Sequence, residues 1–137
     1  MNKKAINILL VEDNPIITGL MMRMFKSIGY EIDIETSVAM ALKSVINKSY
    51  QLIISDIGLP DANGVELIEE VRNIEKQKQR IPAYICGATA FDLEQYRQPC
   101  FEAGFDEMVA KPMNLHFLQH LILKAQSHVV TVYQDNN

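Results

Sequence analysis

Five polar residues of this sequence stand at the ends of short apolar runs. Glu12 and Asp13 close ILLV (8–11), Asp56 closes LIIS (52–55), Thr89 follows Ala88, and Lys111 follows Ala110. Three carboxylates gathered at one place repel one another, so a site that holds them calls for a cation. Hard oxygen ligands suit Mg²⁺, which takes one or two carboxylates and completes its octahedron with water and phosphate oxygens. With Mg²⁺ and Lys111 present the three carboxylates come to neutrality. A phosphoryl group placed on one of them then adds about one negative charge, which the Thr89 hydroxyl and nearby backbone N–H groups can meet as donors. Asp56 is the best nucleophile of the three, because it ends the central run and faces both the acidic pair and Lys111. An aspartyl phosphate is an accepted covalent strategy for a carboxylate, and metal and lysine supply charge where phosphoryl transfer needs it.

For these residues to meet, the chain must bring the ends of its strands together. Ile6–Val11, Ile32–Thr36, Leu52–Ser55, Ala83–Ala88 and Glu107–Ala110 read as strands, three of them nearly continuous in apolar residues, as expected where both faces are covered. Helical periodicity fills the intervals. Asn14 and Pro15 suit a cap and first helical position, with Ile17, Leu20, Met21, Met24, Phe25 and Ile28 inward and Gly29 as the stop. A second helix follows Ser37 with Ala41, Leu42, Val45 and Ile46 inward. A third runs from about Gly64 with Leu67, Ile68, Val71 and Ile74 inward and a solvated tail, Glu75–Arg80. The last begins near Asn114, with Leu115, Leu118, Leu121, Ile122 and Ala125 on one side. Strict alternation implies parallel strands joined by right-handed crossovers, and in such a sheet ligands bind at the carboxyl ends of the strands. Phe91–Ala103 should form the fourth helix, but Pro99 inside it predicts a kink, a loosened first half or a restart.

Composition bounds the rest. At 137 residues, 48% hydrophobic and 22% charged, the chain fits one globular domain with one site. A net charge of −4 argues against a general nucleic-acid or anionic-membrane binder. Cys86 and Cys100 have neither CxxC spacing nor a His-rich neighbourhood, so no zinc site or disulfide framework is indicated and a reducing compartment fits. The run after Lys3 and Lys4 is broken by Asn7 and closed by Glu12, too short for a signal peptide, and no stretch reaches membrane-spanning length. The expectation is a cytoplasmic protein.

The segments ILLVEDNP (8–15), SDIGLPDANG (55–64), ATA (88–90) and AGFDEMVAKP (103–112) together resemble the receiver domain of two-component response regulators, in order and over nearly the whole chain. The VEDNP wording is most similar to receivers of hybrid sensor kinases or single-domain receivers. The resemblance implies a flavodoxin-like (βα)₅ doubly wound α/β fold, a five-stranded parallel sheet in a single domain over 5–128, with a tail over 129–137 that is either a frayed end or a short added strand. It implies phosphorylation by a histidine kinase or histidine phosphotransfer domain, with Asp56 as phosphoacceptor, Glu12 and Asp13 as the Mg²⁺ pair, and Gly58 as a backbone-carbonyl ligand. Thr89 is then the switch hydroxyl and Lys111 the phosphate-binding lysine. A phosphorylation-linked homodimer and only slow autodephosphorylation also follow from the resemblance. The chain departs from the family at Met108, where an aromatic is usual, and at Pro99, in a helix that commonly belongs to the output face. Met108 joins Thr89 in the switch region, but offers no rigid ring.

Other readings stay open at this level. A receiver that binds its partner constitutively is motivated by Met108 and Pro99. An aspartyl-phosphate phosphatase would want a second acid two residues after Asp56, where Gly58 stands. A flavin-binding protein would want a phosphate loop after the first strand, where Glu12 and Asp13 would repel a phosphate. Gly58 leaves room for water near Asp56, and Phe91 would shield it. The isomer of Lys111–Pro112 is not fixed by sequence. His116 and His120 share an i,i+4 spacing but lack an evident third metal ligand.

Overall fold

Of the 137 residues, the computed structural model describes 5–58, 63–90 and 93–135. Strands and helices alternate as β1 (Ile8–Val11), α1 (Pro15–Ser27), β2 (Asp33–Glu35), α2 (Val38–Asn47), β3 (Leu52–Asp56), α3 (Gly64–Gln77), β4 (Tyr84–Thr89), α4 (Leu93–Ala103), β5 (Glu107–Ala110) and α5 (Leu115–Asp135). All strands are parallel in the order β2-β1-β3-β4-β5. Side chains alternate across the sheet. Leu9, Val11, Ile53 and Ile85 enter a core shared with α2, α3 and α4, whereas Ile8, Leu10, Leu52, Ile54 and Cys86 enter one shared with α1 and α5. This is the two-residue period of a pleated strand covered on both faces. Each fully buried Leu or Ile stabilises the fold by about 1.5–3 kcal/mol.

Local chemistry sets the element ends. Asn14 Oδ1 accepts from the backbone N–H of Ile16 (2.9 Å) and Ile17 (3.3 Å), Ser37 caps α2 through Met40 N–H, and Asn63 caps α3 through Glu66 N–H. Asn114 does the same for α5, accepting from Phe117 N–H at 2.8 Å. Gly29 ends α1 with φ +91°, a conformation open to glycine at little cost.

Several expectations need correction. Leu20, Ile46 and Leu115, expected inward, are 47%, 46% and 37% exposed; each lies at the margin of its helix's apolar stripe. Of the outcomes expected at Pro99, a restart is not seen: α4 runs Leu93–Ala103 with Pro99 inside it. Pro99 and Gln95, whose carbonyl loses its helical partner, are both exposed, so water can satisfy that oxygen. Phe91, the expected start of this helix, lies outside the described residues. The alternation in 129–135 yields no strand, because α5 stays helical to Asp135. No described helix is long and apolar enough to cross a membrane.

The largest correction concerns the two ends of 75–80: residues 76–79 are exposed as expected, but Glu75 is buried and Arg80 half-buried. Glu75 is buried; one oxygen takes Arg72 Nη1 at 2.8 Å and the other accepts from Ala83 N–H at 2.7 Å. Arg72 also donates to the carbonyls of Ala83 (2.9 Å) and Gly104 (2.7 and 3.0 Å) and to Asp106 Oδ2 (3.0 Å). Asp106 Oδ2 in turn accepts from Ile85 N–H at 2.8 Å. One guanidinium thus ties α3 to the amino ends of β4 and β5. Arg80 donates to the carbonyls of Val45, Ile46 and Lys48 at the end of α2, where the helix leaves acceptors unmatched.

The β2 edge carries a smaller polar cluster. Tyr50 Oη donates to Asp33 Oδ2 at 2.6 Å and Lys48 Nζ lies 2.9 Å from the same oxygen. The Tyr50 hydrogen bond and Lys48 outweigh partial burial and hold the Asp33 carboxyl below its ordinary range. A lowered carboxyl stabilises the fold above the unfolded-state pKa, and that contribution fades as pH falls through the folded-state value. Tyr50→Phe is therefore expected to be less stable than the parent at neutral pH, by about 1–2 kcal/mol, the scale of one hydrogen bond from a buried hydroxyl to a half-exposed carboxylate. In urea titrations at a series of pH values the two proteins should converge below about pH 4. A difference that persists unchanged into acid would remove the carboxyl from the explanation.

Candidate acidic site at the carboxyl edge of the sheet

The connections after β1, β3, β4 and β5 converge at one edge. Glu12 follows β1 directly and is 2% exposed. Its backbone N–H donates to Glu35 O (3.0 Å), and its Oε2 accepts from Asn14 N–H (3.1 Å). The residue that caps α1 thereby also orients the buried carboxylate. Asp13 is exposed and Asp56 partly buried at the end of β3. One oxygen from each of Glu12, Asp13 and Asp56 lies within 4.8 Å of the others. Lys111 reaches across from β5, its Nζ 2.6 Å from Glu12 Oε1 and 3.2 Å from Asp56 Oδ2. Lys111 N–H donates to Thr89 O at 2.8 Å, which docks the end of β5 on β4, and the Lys111–Pro112 peptide is cis.

The electrostatics follow from that crowding. Burial pushes the Glu12 carboxyl above its usual range, against the opposing pull of its hydrogen bonds from Lys111 and Asn14; Asp56 adds to the rise by like charge. Burial works to discharge Lys111, but its hydrogen bond to Glu12 and the neighbouring carboxylates prevail and raise its pKa. Lys111 is thus held as an ammonium between two acids. The site is built of hard oxygen donors with an excess of negative charge, the set that a divalent cation such as Mg²⁺ suits.

Asp56 is held from both sides. Ile57 N–H donates to Ala88 O (3.2 Å), keeping β3 on β4, and Asp56 Oδ1 accepts from Gly58 N–H (3.2 Å). A Cβ at Gly58 would point into open space, with no atom within 4 Å. Gly64, at the start of α3, is different. Its N–H donates to Ile57 O at 2.7 Å, and a Cβ there would stand 2.5 Å from Asp56 O. Its role is close approach of helix to strand, a signal that a glycine next to a helix cap can give in sequence.

The structure therefore brings together Glu12, Asp13, Asp56 and Lys111, with Gly58 beside Asp56 and Thr89 buried at the end of the adjoining strand. Met108 sits apart, 8% exposed in the core under α3 and α4. Its partner across the ladder is Gly87, where a Cβ would come within 2.6 Å of the Met108 sulfur and 2.8 Å of the Phe105 ring. His120 pairs with Glu107 at 3.0 Å and joins no metal-binding trio among the described residues. Cys86 is fully buried, and burial pushes its thiol far up.

A doubly wound parallel sheet with three carboxylates and a lysine at its carboxyl edge has known counterparts. The family model of the response regulator receiver domain matches residues 8–123, and the chain belongs to that family. It is 30% identical over 133 residues to the sensor protein EvgS of Escherichia coli O157:H7, covering 96% of this chain and 11% of that protein. It is 30% identical over 120 residues to hybrid signal transduction histidine kinase L of Dictyostelium discoideum, covering 85% and 7%. The chain spans about a tenth of the length of these curated relatives. Among solved structures, the receiver domain of sensor histidine kinase PA1611 from Pseudomonas aeruginosa, with a magnesium ion in its active-site cleft, matches with TM-score 0.76 and 30% identity, covering 88% of this chain and 96% of that one. A CheY-like receiver from Methanospirillum hungatei shares the fold at TM-score 0.81 and 23% identity, over 93% and 99%. The receiver of Saccharomyces cerevisiae Ssk1, co-crystallised with the histidine phosphotransfer protein Ypd1, matches at TM-score 0.77 and 26% identity over 83% of each chain.

Proposed function

We propose that the chain is the phosphoacceptor of a two-component or phosphorelay pathway, that Asp56 takes a phosphoryl group from a phosphohistidine on a kinase or phosphotransfer domain, and that this alters binding to a protein partner in the cytoplasm. The observation that carries the reading is Lys111 Nζ set between Glu12 and Asp56 beside the exposed Asp13. Glu12, Asp13, Asp56 and the Gly58 carbonyl are the groups that would hold Mg²⁺, which when bound neutralises charge on the phosphoryl oxygens. An Asp56 carboxylate oxygen forms the new bond to phosphorus as the phosphorus–nitrogen bond of a phosphohistidine protonated at its other ring nitrogen breaks, and the bonding pair stays on nitrogen to leave a neutral imidazole. Lys111 offers its ammonium to the arriving oxygens, and the Thr89 hydroxyl turns to donate to one of them. Gly58 supplies no acid for turnover, so hydrolysis of the acyl phosphate is slow and depends on water alone.

Incubation with Mg²⁺ and acetyl phosphate should add one phosphoryl group to the intact mass. Asp56→Asn should abolish the addition, and Lys111→Met should slow it by about 10²–10³-fold, as loss of one preorganised charge does elsewhere. Undiminished addition to Asp56→Asn would defeat the reading. A second reading, constitutive binding, is favoured by Met108, which already fills the space beneath Gly87. Equal partner affinity with and without beryllofluoride would select it.

A further inference from the structure

Four polar residues are buried among the described residues: Glu12, Ser55, Glu75 and Thr89. Glu12 and Thr89 belong to the acidic edge and Glu75 to the Arg72 cluster. Ser55 has no part in either, yet it is the most deeply buried of the four, at 0% exposure. By the alternation of β3 its side chain shares a face with Ile53 and Ile57, in the core that also holds Val11, Leu67 and Met108. A hydroxyl in so apolar a layer is costly unless it is bonded.

Its bond is to the neighbouring peptide. Ser55 Oγ donates to Asp56 O at 2.9 Å. β1 ends at Val11, the ladder partner of Ser55, so no residue of that strand stands opposite Asp56. The N–H of the same peptide unit, that of Ile57, donates to Ala88 O on β4 at 3.2 Å. One planar unit is therefore held at both of its polar groups, and it cannot tilt without loss of a bond. Its carbonyl is also the atom against which Gly64 packs. The Asp56 Cα, and with it the carboxylate 3.2 Å from Lys111 Nζ, is attached directly to that carbonyl carbon.

We infer that Ser55 is a positioning residue for phosphoryl transfer: its hydroxyl fixes the plane of the Asp56–Ile57 peptide and so the place of the Asp56 carboxylate beside Lys111 and Glu12. Ser55 acts through Asp56 and touches neither the phosphoryl group nor a metal. The inference rests on Asp56 being the phosphoacceptor. A hydroxyl that served only to satisfy a carbonyl would, when removed, shift the unfolding midpoint and leave the rate of the folded protein unchanged. A hydroxyl that sets the carboxylate lowers that rate.

Mass addition from acetyl phosphate is followed over a range of concentrations at saturating Mg²⁺ for the parent, Ser55→Ala and Ser55→Cys, with the urea midpoint of each measured alongside. Ser55→Ala should lower the maximal rate about tenfold, less than the roughly 10²-fold that a 1 Å displacement brings, with the acetyl phosphate concentration for half-maximal rate unchanged. Ser55→Cys fills the same position but offers only a weak donor, and should be slowed likewise. In ¹³C NMR of the metal-free protein the Asp56 backbone carbonyl resonance should move in Ser55→Ala while those of Ile53 and Ile85 stay in place. A parent maximal rate in folded Ser55→Ala, a loss confined to the half-maximal concentration, full speed in Ser55→Cys, or an unmoved Asp56 carbonyl resonance would overturn the inference and leave the phosphoacceptor reading intact. Absence of addition to the parent would overturn that reading, and the inference with it.

Discussion

Arg72→Met is expected to lower the free energy of unfolding by about 3–5 kcal/mol, the usual consequence of removing one partner from a buried ion pair. Arg72 is 19% exposed at its side chain and Glu75 only 7%. Methionine retains most of the apolar stem, which isolates the guanidinium from simple loss of packing. Without it, one oxygen of Glu75 keeps the Ala83 N–H while the other faces the core with a charge and no donor. The carbonyls of Ala83 and Gly104 lose donors as well. Gly104 cannot easily shift to compensate, since its φ of +119° is a conformation glycine alone adopts readily, and a Cβ there would stand 2.8 Å from Arg72 Cγ. The double variant Arg72→Met/Glu75→Met should recover a large part of the loss, because it removes the stranded charge. Urea unfolding of the parent, the single variants and the double variant measures all terms. A loss below about 1 kcal/mol in Arg72→Met would mean that the cluster behaves as an exposed pair.

Gly64→Ala is expected to cut the rate of Asp56 phosphorylation by about 10²-fold, the scale associated with a displacement of about 1 Å near reacting groups. A Cβ at this position lies 2.5 Å from Asp56 O, 3.0 Å from Ile57 Cα and 3.3 Å from Asp56 C. All three are backbone atoms, so no side chain can swing aside. Either α3 moves off the end of β3 or the Asp56–Ile57 backbone moves toward the site. The first course breaks the bond from Gly64 N–H to Ile57 O; the second shifts Asp56 relative to Lys111 and Glu12. Overpacking of this kind also costs about 1–3 kcal/mol of stability. The time course of mass addition from acetyl phosphate, alongside thermal unfolding, separates the two effects. Parent rates in a folded Gly64→Ala protein would refute the steric account. Gly19→Ala, away from the site, is the matched control, because a Cβ there meets only the Arg23 guanidinium at 3.9 Å.

Much of this could be read before any coordinates. The strand positions follow from uninterrupted apolar runs between helical segments, and the helix starts from Asn14, Ser37 and Asn114, whose side chains can bond the first free N–H groups. The site was legible because its residues occupy strand ends, which one topology brings to one edge. What was not legible depends on partners distant in sequence. Glu75 falls at the i, i+7 position from Ile68 on the inward stripe of α3, a spacing that signals burial, but its charge argues for solvent until Arg72 and Ala83 N–H are in view. Leu20, Ile46 and Leu115 satisfy helical periodicity yet face outward, because periodicity gives a direction and not the width of the neighbour that covers it. Pro99 is tolerated in a helix because it and Gln95 are both exposed, where water can reach the unmatched carbonyl, a matter of exposure that local propensity cannot supply.

The two ends of the strands carry different burdens. The Arg72 cluster grips the amino ends of β4 and β5 through Ala83, Ile85 and Asp106, while Asp56, Thr89 and Lys111 stand at the carboxyl ends. A strand of several residues separates them, with no polar group shared. Changes that tune reactivity and changes that tune robustness therefore fall in separate mutational neighbourhoods and should combine additively. A lineage carrying this fold is free to remodel its chemistry at one edge without eroding the fastening at the other.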